Sequence, residues 1–436
     1  MMRLLSTLAV LVIAAIPARA DISIQDITTP AGINAWLVEE HSLPFTALEI
    51  RFRGGTSLDR PDKRGAINLM VGLLEEGSAD MDARAFAEAG ESLAASFRFD
   101  SYSDAISVSA QFLTENRDEA TALLHDALTE PSFAEGAIER VRDQVMSHLS
   151  SRITDPSAIA SETWDAMAFG GHPYGTYDAG TKDSVGALSR EDLVNAFHDA
   201  IALDRIYVAA VGDITADELS VLIDNLFDGL PQKGADFPDR IEFAKGGGTK
   251  VVPFETPQSV AVFGHAGIAR DDPDFFAAFV LNEVLGGRGS NSRLMDEVRE
   301  KRGLTYGIGT FLAPSDLSET IVGKFASQNA SMGQALEIIR AQWAKIAEDA
   351  ITEDELATAQ TYLTGSYPLR FDGNANIANI MVSMQMEGLP IDYSATRNDK
   401  VMAVTLDDAK RVAQRLFDPD ALQIVVVGEP DGVVSN

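Results

Sequence analysis

The sequence predicts an α+β chain built from two related halves, and three observations carry this. At 436 residues the chain exceeds what one hydrophobic core usually serves, so length alone points to two to four lobes. Segments with strand-like alternation are interleaved with pairs of helix-like segments, the pattern of α+β domains. Matching features also recur half a chain apart. Asp192 and Asp408, each just inside a capped helix start, are separated by 216 positions, as are Val211-Gly212 and Val427-Gly428, each closing a buried strand. That period is far longer than a solenoid repeat, so a whole domain is duplicated.

Residues 1–20 read as an export signal: Arg3, an apolar run from Leu4 to Ile16, then Pro17 and a small-residue cleavage site at Ala18-Arg19-Ala20. The apolar run is too short for a permanent anchor, and no later run reaches the length of a membrane span. The first half, 21–230, opens with a strand at 47–53 and continues with helices at 65–76 and 83–94. A strand at 105–113 and helices at 117–127 and 134–151 follow. Ser189 then opens a capped helix, and 205–213 reads as a buried strand. Gly229 to Gly248 holds Pro231, Pro238 and Gly246-Gly247-Gly248, so a linker is set at 231–248. The second half, 249–436, repeats the pattern. It has strands at 259–264 and 320–327, helices at 273–285, 292–300, 332–348 and 353–367, a capped start at Thr405 and a strand at 422–429.

Composition narrows the function. Hydrophobic residues at 45% and charged residues at 23% are ordinary for a globular chain. The absence of cysteine removes disulfides, thiolate zinc ligands and a cysteine nucleophile, and places an exported chain in a bacterial periplasm. The net charge of −31, or −33 without Arg3 and Arg19, repels nucleic acid and anionic membranes. No Gly-x-Ser-x-Gly elbow is present. The six histidines are His41, His125, His148, His172, His198 and His265, and no two are three or four apart, so no zinc-binding helix is built from them.

Ala66, Leu69 and Leu73 share one helix face and make 65–76 a buried helix. The stretch from Arg64 to Glu76, followed by Gly77-Ser78, resembles the metal-site helix of the pitrilysin/insulinase-type zinc peptidases, which include the mitochondrial processing peptidases. In that family the helix carries His-x-x-Glu-His. Aligned on Gly77-Ser78, the resemblance sets the first histidine at Asn68, the catalytic glutamate at Val71 and the second histidine at Gly72. It sets a distal glutamate at His148. Valine and glycine cannot ligate zinc, and Val71 cannot act as a general base. The chain is therefore expected to hold no metal or other cofactor of its own.

A second segment carries the resemblance further: Leu285-Gly286-Gly287-Arg288-Gly289-Ser290, a helix, then Arg302-Gly303-Leu304-Thr305-Tyr306. Read alone, Arg299, Lys301 and Arg302 are cations suited to a helix C terminus, and Gly303 suits a left-handed cap. The resemblance implies more. Arg302 and Tyr306 would hold the substrate backbone and stabilise the tetrahedral intermediate, and Gly286, Gly287, Gly289 and Ser290 would line a substrate cavity. Gly171-His172-Pro173-Tyr174-Gly175 matches a family turn and is read as structural. The resemblance spans nearly the whole chain after residue 20. It implies two homologous lobes, each a mixed or antiparallel sheet covered by helices, closing as a clam-like unit. It further implies a non-catalytic, substrate-binding subunit, paired with a homologue that carries His-x-x-Glu-His and the zinc, with peptides as substrates. The alternative is a structural or peptide-binding protein with no peptidase role.

Overall fold

The computed structural model describes residues 23–287 and 291–436. The export signal expected at 1–20 lies outside the described residues. Among them, no helix is long and apolar enough to cross a membrane.

The first lobe contains β1 (Gln25–Thr28), β2 (Asn34–Glu39), β3 (Phe45–Arg53), β4 (Ser96–Ser101), β5 (Ala105–Leu113) and β6 (Ile206–Gly212). Its helices are α1 (Ala66–Val71), α2 (Ala83–Ser92), α3 (Arg117–Thr129), α4 (Glu135–Arg152), α5 (Pro156–Phe169), α6 (Lys182–Gly186), α7 (Arg190–Ala200) and α8 (Ala216–Leu226). The second lobe contains β7 (Gly248–Pro253), β8 (Gln258–Ala266), β9 (Ile308–Pro314), β10 (Glu319–Gln328) and β11 (Gln423–Gly428). Its helices are α9 (Phe275–Gly286), α10 (Asn329–Asp349), α11 (Glu353–Ser366), α12 (Asn374–Met386), α13 (Tyr393–Met402) and α14 (Leu406–Leu416).

The sheets run β1-β2-β6-β3-β5-β4 and β7-β11-β8-β10-β9. Without β1 the two orders are the same: the β2–β6 pair is parallel, as is β7–β11, and every other neighbour is antiparallel. The sequence anchors fall on equivalent points. Ser189 and Thr405 each accept from the backbone N–H three residues on, which carries the returning Asp192 or Asp408 side chain, so both helices start with a capping box. Gly212 and Gly428 close the matching strands at φ +150° and +148°. A Cβ there would sit 2.3 Å from Phe45 O or 2.2 Å from Ser259 Oγ, so both positions require glycine.

The lobes exchange one helix each. Helix α5 of the first lobe packs on the second sheet, where Trp164 and Phe169 join Val262, Val425 and Val427. Helix α12 of the second lobe packs on the first sheet, where Ala378, Met381 and Val382 join Trp36, Ala209 and Val211. This exchange explains one departure from the sequence reading. Strand β3 alternates in sequence, yet it is buried on both faces, Glu49 included, because α12 covers its polar side.

Other departures are local. The helix expected at 65–76 ends at Val71, and Leu73, Leu74 and Glu76 continue in tighter turns that bond three residues back. The helix expected at 292–300 adopts π-helical winding over Met295–Glu300. The sequence reading holds no counterpart to strands β1, β2, β4, β7 and β9 or to helices α5, α6, α8, α12 and α13.

Candidate functional site

Helix α1 is positioned from its N terminus. The Asp59 carboxylate accepts from Gly65 N–H at 2.7 Å and Ile67 N–H at 2.8 Å, capping the helix. Burial pushes this carboxyl up to about 6, against the opposing pull of Arg64. Arg64 is itself buried and donates to Asp178 at 3.1 Å, to Pro173 O at 3.1 Å and to Thr176 Oγ1 at 2.9 Å. It thereby ties α1 to the turn that follows α5.

At the four positions matched to metal ligands and base, no donor set forms. Asn68 Nδ2 donates to Ser101 Oγ at 2.9 Å. Val71 is 2% exposed and belongs to the first lobe's core. Gly72 faces α4, and a Cβ there would lie 3.0 Å from Val141 Cγ1. His148 sits on the exposed side of α4, where a ring nitrogen bonds Tyr177 Oη at 2.9 Å. Among the described residues, no group of three or more His, Cys, Asp or Glu side chains stands together to hold a metal ion. The zinc of the resembling family does not fit here, because Val71 and Gly72 offer no donor atom while Asn68 and His148 each bond a different polar neighbour.

The second-lobe segment is built differently. The turn after the π-helical stretch closes as a left-handed αL cap, with Gly303 at φ +62°. Gly303 N–H donates to Arg299 O at 2.8 Å and Leu304 N–H to Val298 O at 2.9 Å. Thr305 Oγ1 then donates to Ala326 O at 2.7 Å, pinning the segment to β10. Between these fixed points and β9, Tyr306 is 90% exposed. The Arg302 guanidinium donates to Glu297, at 2.6 Å to the carboxylate and 2.7 Å to the carbonyl. Among the described residues, the Arg299 side chain meets only its neighbour Glu300, at 3.6 Å.

Gly286 and Gly287 are buried. A Cβ on Gly286 would sit 2.6 Å from Thr310 Oγ1, so this glycine lets α9 approach β9 closely and offers no surface to a ligand. Gly289 and Ser290 lie outside the described residues.

Between the lobes lies a cavity of about 310 Å³ that sequence reasoning missed. Val262, Phe311 and Val322 of the second sheet form one wall, and Trp164 and Asp165 of α5 the other. Beside it, a network joins the lobes. Tyr174 donates its hydroxyl to Asp104 and accepts from Leu317 N–H at 3.0 Å. Asp104 accepts from Asp316 N–H at 3.1 Å, and Arg53 grips the Asp316 carboxylate at 2.6 and 2.8 Å. Burial pushes the Asp104 carboxyl up, and burial together with Asp104 pushes the Tyr174 phenol up. The histidine of this turn accepts from Tyr174 N–H at 3.2 Å, so the turn is a structural joint, as read from the sequence. One signal for α5 was legible: Asp155-Pro156, where Asp155 caps at 2.9 Å and the proline opens the first turn.

Comparison with known proteins agrees with this architecture. Residues 36–181 match the family model described as insulinase (peptidase family M16), and residues 187–363 match the one described as peptidase M16 inactive domain. A Helicobacter pylori protein named a non-peptidase homolog is 27% identical over 371 residues, covering 85% of this chain and 86% of that protein. An uncharacterized zinc protease of Streptomyces coelicolor is 24% identical, covering 89% of this chain and 86% of that protein. The beta subunit of the mitochondrial-processing peptidase of Lentinula edodes is 23% identical, covering 72% and 70%. A solved peptidase M16 inactive domain from Pseudomonas fluorescens superposes with a TM-score of 0.87 at 27% identity, over 95% of this chain and 99% of that one. With its two-lobed architecture and the two family models together spanning most of its length, the chain belongs to the M16 (insulinase) peptidase family, as a member whose own metal positions carry no ligands.

Proposed function

We propose that this chain is the non-catalytic, substrate-binding subunit of a two-chain zinc peptidase in the bacterial periplasm. Its partner is a homologous subunit carrying His-x-x-Glu-His and the zinc, and the pair cleaves peptides. The observation that carries the reading is Tyr306. A tyrosine ring 90% exposed on a backbone fixed at both sides is built to meet something outside its own chain. Arg302 and Tyr306 reach the partner's active site, where a tyrosine hydroxyl can donate to a developing oxyanion. Among the described residues the adjacent β9 pairs with β10 alone, so its free edge can accept an extended peptide as an added strand. Arg302 already spends hydrogen bonds on Glu297, which makes the freer Arg299 the natural companion variant.

The test is hydrolysis of a quenched fluorescent peptide library by the purified chain, by its zinc-motif homologue from the same cell and by their mixture. Activity in the mixture only, lost to a chelator, is expected. Arg302→Ala combined with Tyr306→Phe should lower that activity by about a hundredfold or more while the complex still elutes as one species. Undiminished turnover would remove both residues from the site. The second reading, a structural or peptide-binding protein with no peptidase role, is favoured by the name of the Helicobacter relative, and silence of the mixture would select it.

A further inference from the structure

The cavity between α5 and the β9–β10 corner holds a charge that the fold does not use. Glu162, one turn before Asp165 on α5, is met by Arg152 at 2.7 Å. Asp178, on the rim, is met by Arg64 at 3.1 Å and by the hydroxyls of Thr56 and Ser103. Asp165 receives nothing comparable. Among the described residues its carboxyl has no hydrogen-bond donor, and its charged neighbours are Asp178 and Glu162, both of the same sign. An unmatched carboxylate withdrawn from bulk water is costly, and an arriving cation relieves that cost.

The surroundings specify the rest of the ligand. Trp164, almost fully buried, precedes Asp165 on the same helix, and across the gap the half-exposed Phe311 and the part-buried Val322 offer apolar surface beside Thr320 and Lys324, with Val262 buried under α5. The volume, about 310 Å³, suits a side chain or a small molecule. We propose that this cavity binds an organic cation with an apolar body, the charge set against Asp165 and the body against Phe311 and Val322. Two sources carry that chemistry: the free N-terminal residue of a peptide, and a lysine or arginine side chain within one. The site stands on this chain alone and does not depend on a peptidase partner.

Protonation gives the site a signature. Burial, with Asp178 and Glu162, pushes the Asp165 carboxyl up to about 7. The other titratable or charged groups facing the cavity or flanking its acids are Tyr174, Tyr177, Lys324, Arg152 and Arg64. A cationic ligand favours the ionised carboxylate, so binding strengthens as pH rises through about 7.

The experiment is calorimetric titration of the full chain with phenethylamine and with its neutral counterpart 2-phenylethanol. The amine should bind at least about tenfold more tightly at pH 8, a difference of about 1.4 kcal/mol. That preference should shrink at about pH 6 and vanish in Asp165→Asn. Circular dichroism and thermal unfolding show whether that variant keeps its fold, and Asp165→Glu, which keeps the charge, should retain the preference. An N-acetylated peptide with one internal lysine and a lysine-free peptide with a free N terminus separate the two sources. Equal affinity for amine and alcohol, no saturable binding at millimolar concentration, or an undiminished preference in folded Asp165→Asn would each overturn the proposal.

Discussion

The equivalent sheet faces of the two lobes, each partly covered by the other lobe's helix, differ in how their polar groups are satisfied. In the first lobe the face beside α12 carries Glu49, Arg51 and Ser109, which satisfy one another. Glu49 accepts from Arg51 at 2.9 Å and from Ser109 at 2.9 Å, and Arg51 reaches Asn379 of α12 at 2.6 Å. In the second lobe the matching face beside α5 carries Phe311, Val322, Thr320 and Lys324, and among the described residues the facing Asp165 is left without a partner. One strand order therefore supports polar groups that satisfy one another in one lobe and an open face before an unpaired carboxylate in the other. Topology fixes where a face lies, and side chains decide whether it is finished internally or left for a ligand.

The same contrast separates the two segments matched to family motifs. Of the metal-helix positions of the first lobe, Val71 is buried in hydrocarbon and Asn68 is held by Ser101, whereas Tyr306 of the second lobe stands in solvent. An active site needs access as well as chemistry, and of the two segments the second lobe's presents its side chain to solvent.

The largest expected effect tests whether the exchanged helices make the two lobes one unit. Trp164 is 3% exposed and sits where α5 meets the second sheet, so Trp164→Ala should cost about 3–5 kcal/mol. Calorimetry should show a single transition moved to lower temperature. Two resolved transitions would mean that the lobes unfold separately and that the exchange is packing without coupling.

A smaller effect contrasts the sealed segment with the open one. Gly72→His forces a side chain against Val141 and should cost about 1–3 kcal/mol by urea unfolding. Tyr306→His, on the exposed segment, should stay within about 0.5 kcal/mol. Equal costs would break the distinction between a filled site and a presented one.

The smallest effect is pH-dependent and belongs to the second lobe. His265 is the buried histidine of the six, accepting from Trp343 Nε1 at 2.8 Å, and burial lowers its pKa. The folded state thus holds it neutral, while the unfolded chain protonates it near pH 6.5. Its contribution to stability is complete above that pH and is lost as pH falls below it. His265→Gln keeps an acceptor for the indole and should flatten that part of the stability-versus-pH curve. An unchanged slope would assign it to other groups.

Much of this molecule was legible in its residues. Valine and glycine at positions 71 and 72 rule out ligation in any fold. Ser189 and Thr405 announce their helices, because a cap needs only its own next three residues. Gly212, Gly303 and Gly428 mark backbone conformations that a side chain would resist. Likewise, an Arg-Gly-Leu-x-Tyr segment can be read from neighbours in the chain. The tertiary structure alone decided which sheet each amphipathic helix would cover. The apolar stripe of α5 has the same period whichever lobe it faces, so its packing on the second lobe left no local trace. That choice also placed Asp165 in a cavity, buried Glu49 and left Tyr306 in solvent. Exposure is a property of what arrives from elsewhere in the chain, and a residue's neighbours in sequence do not carry it.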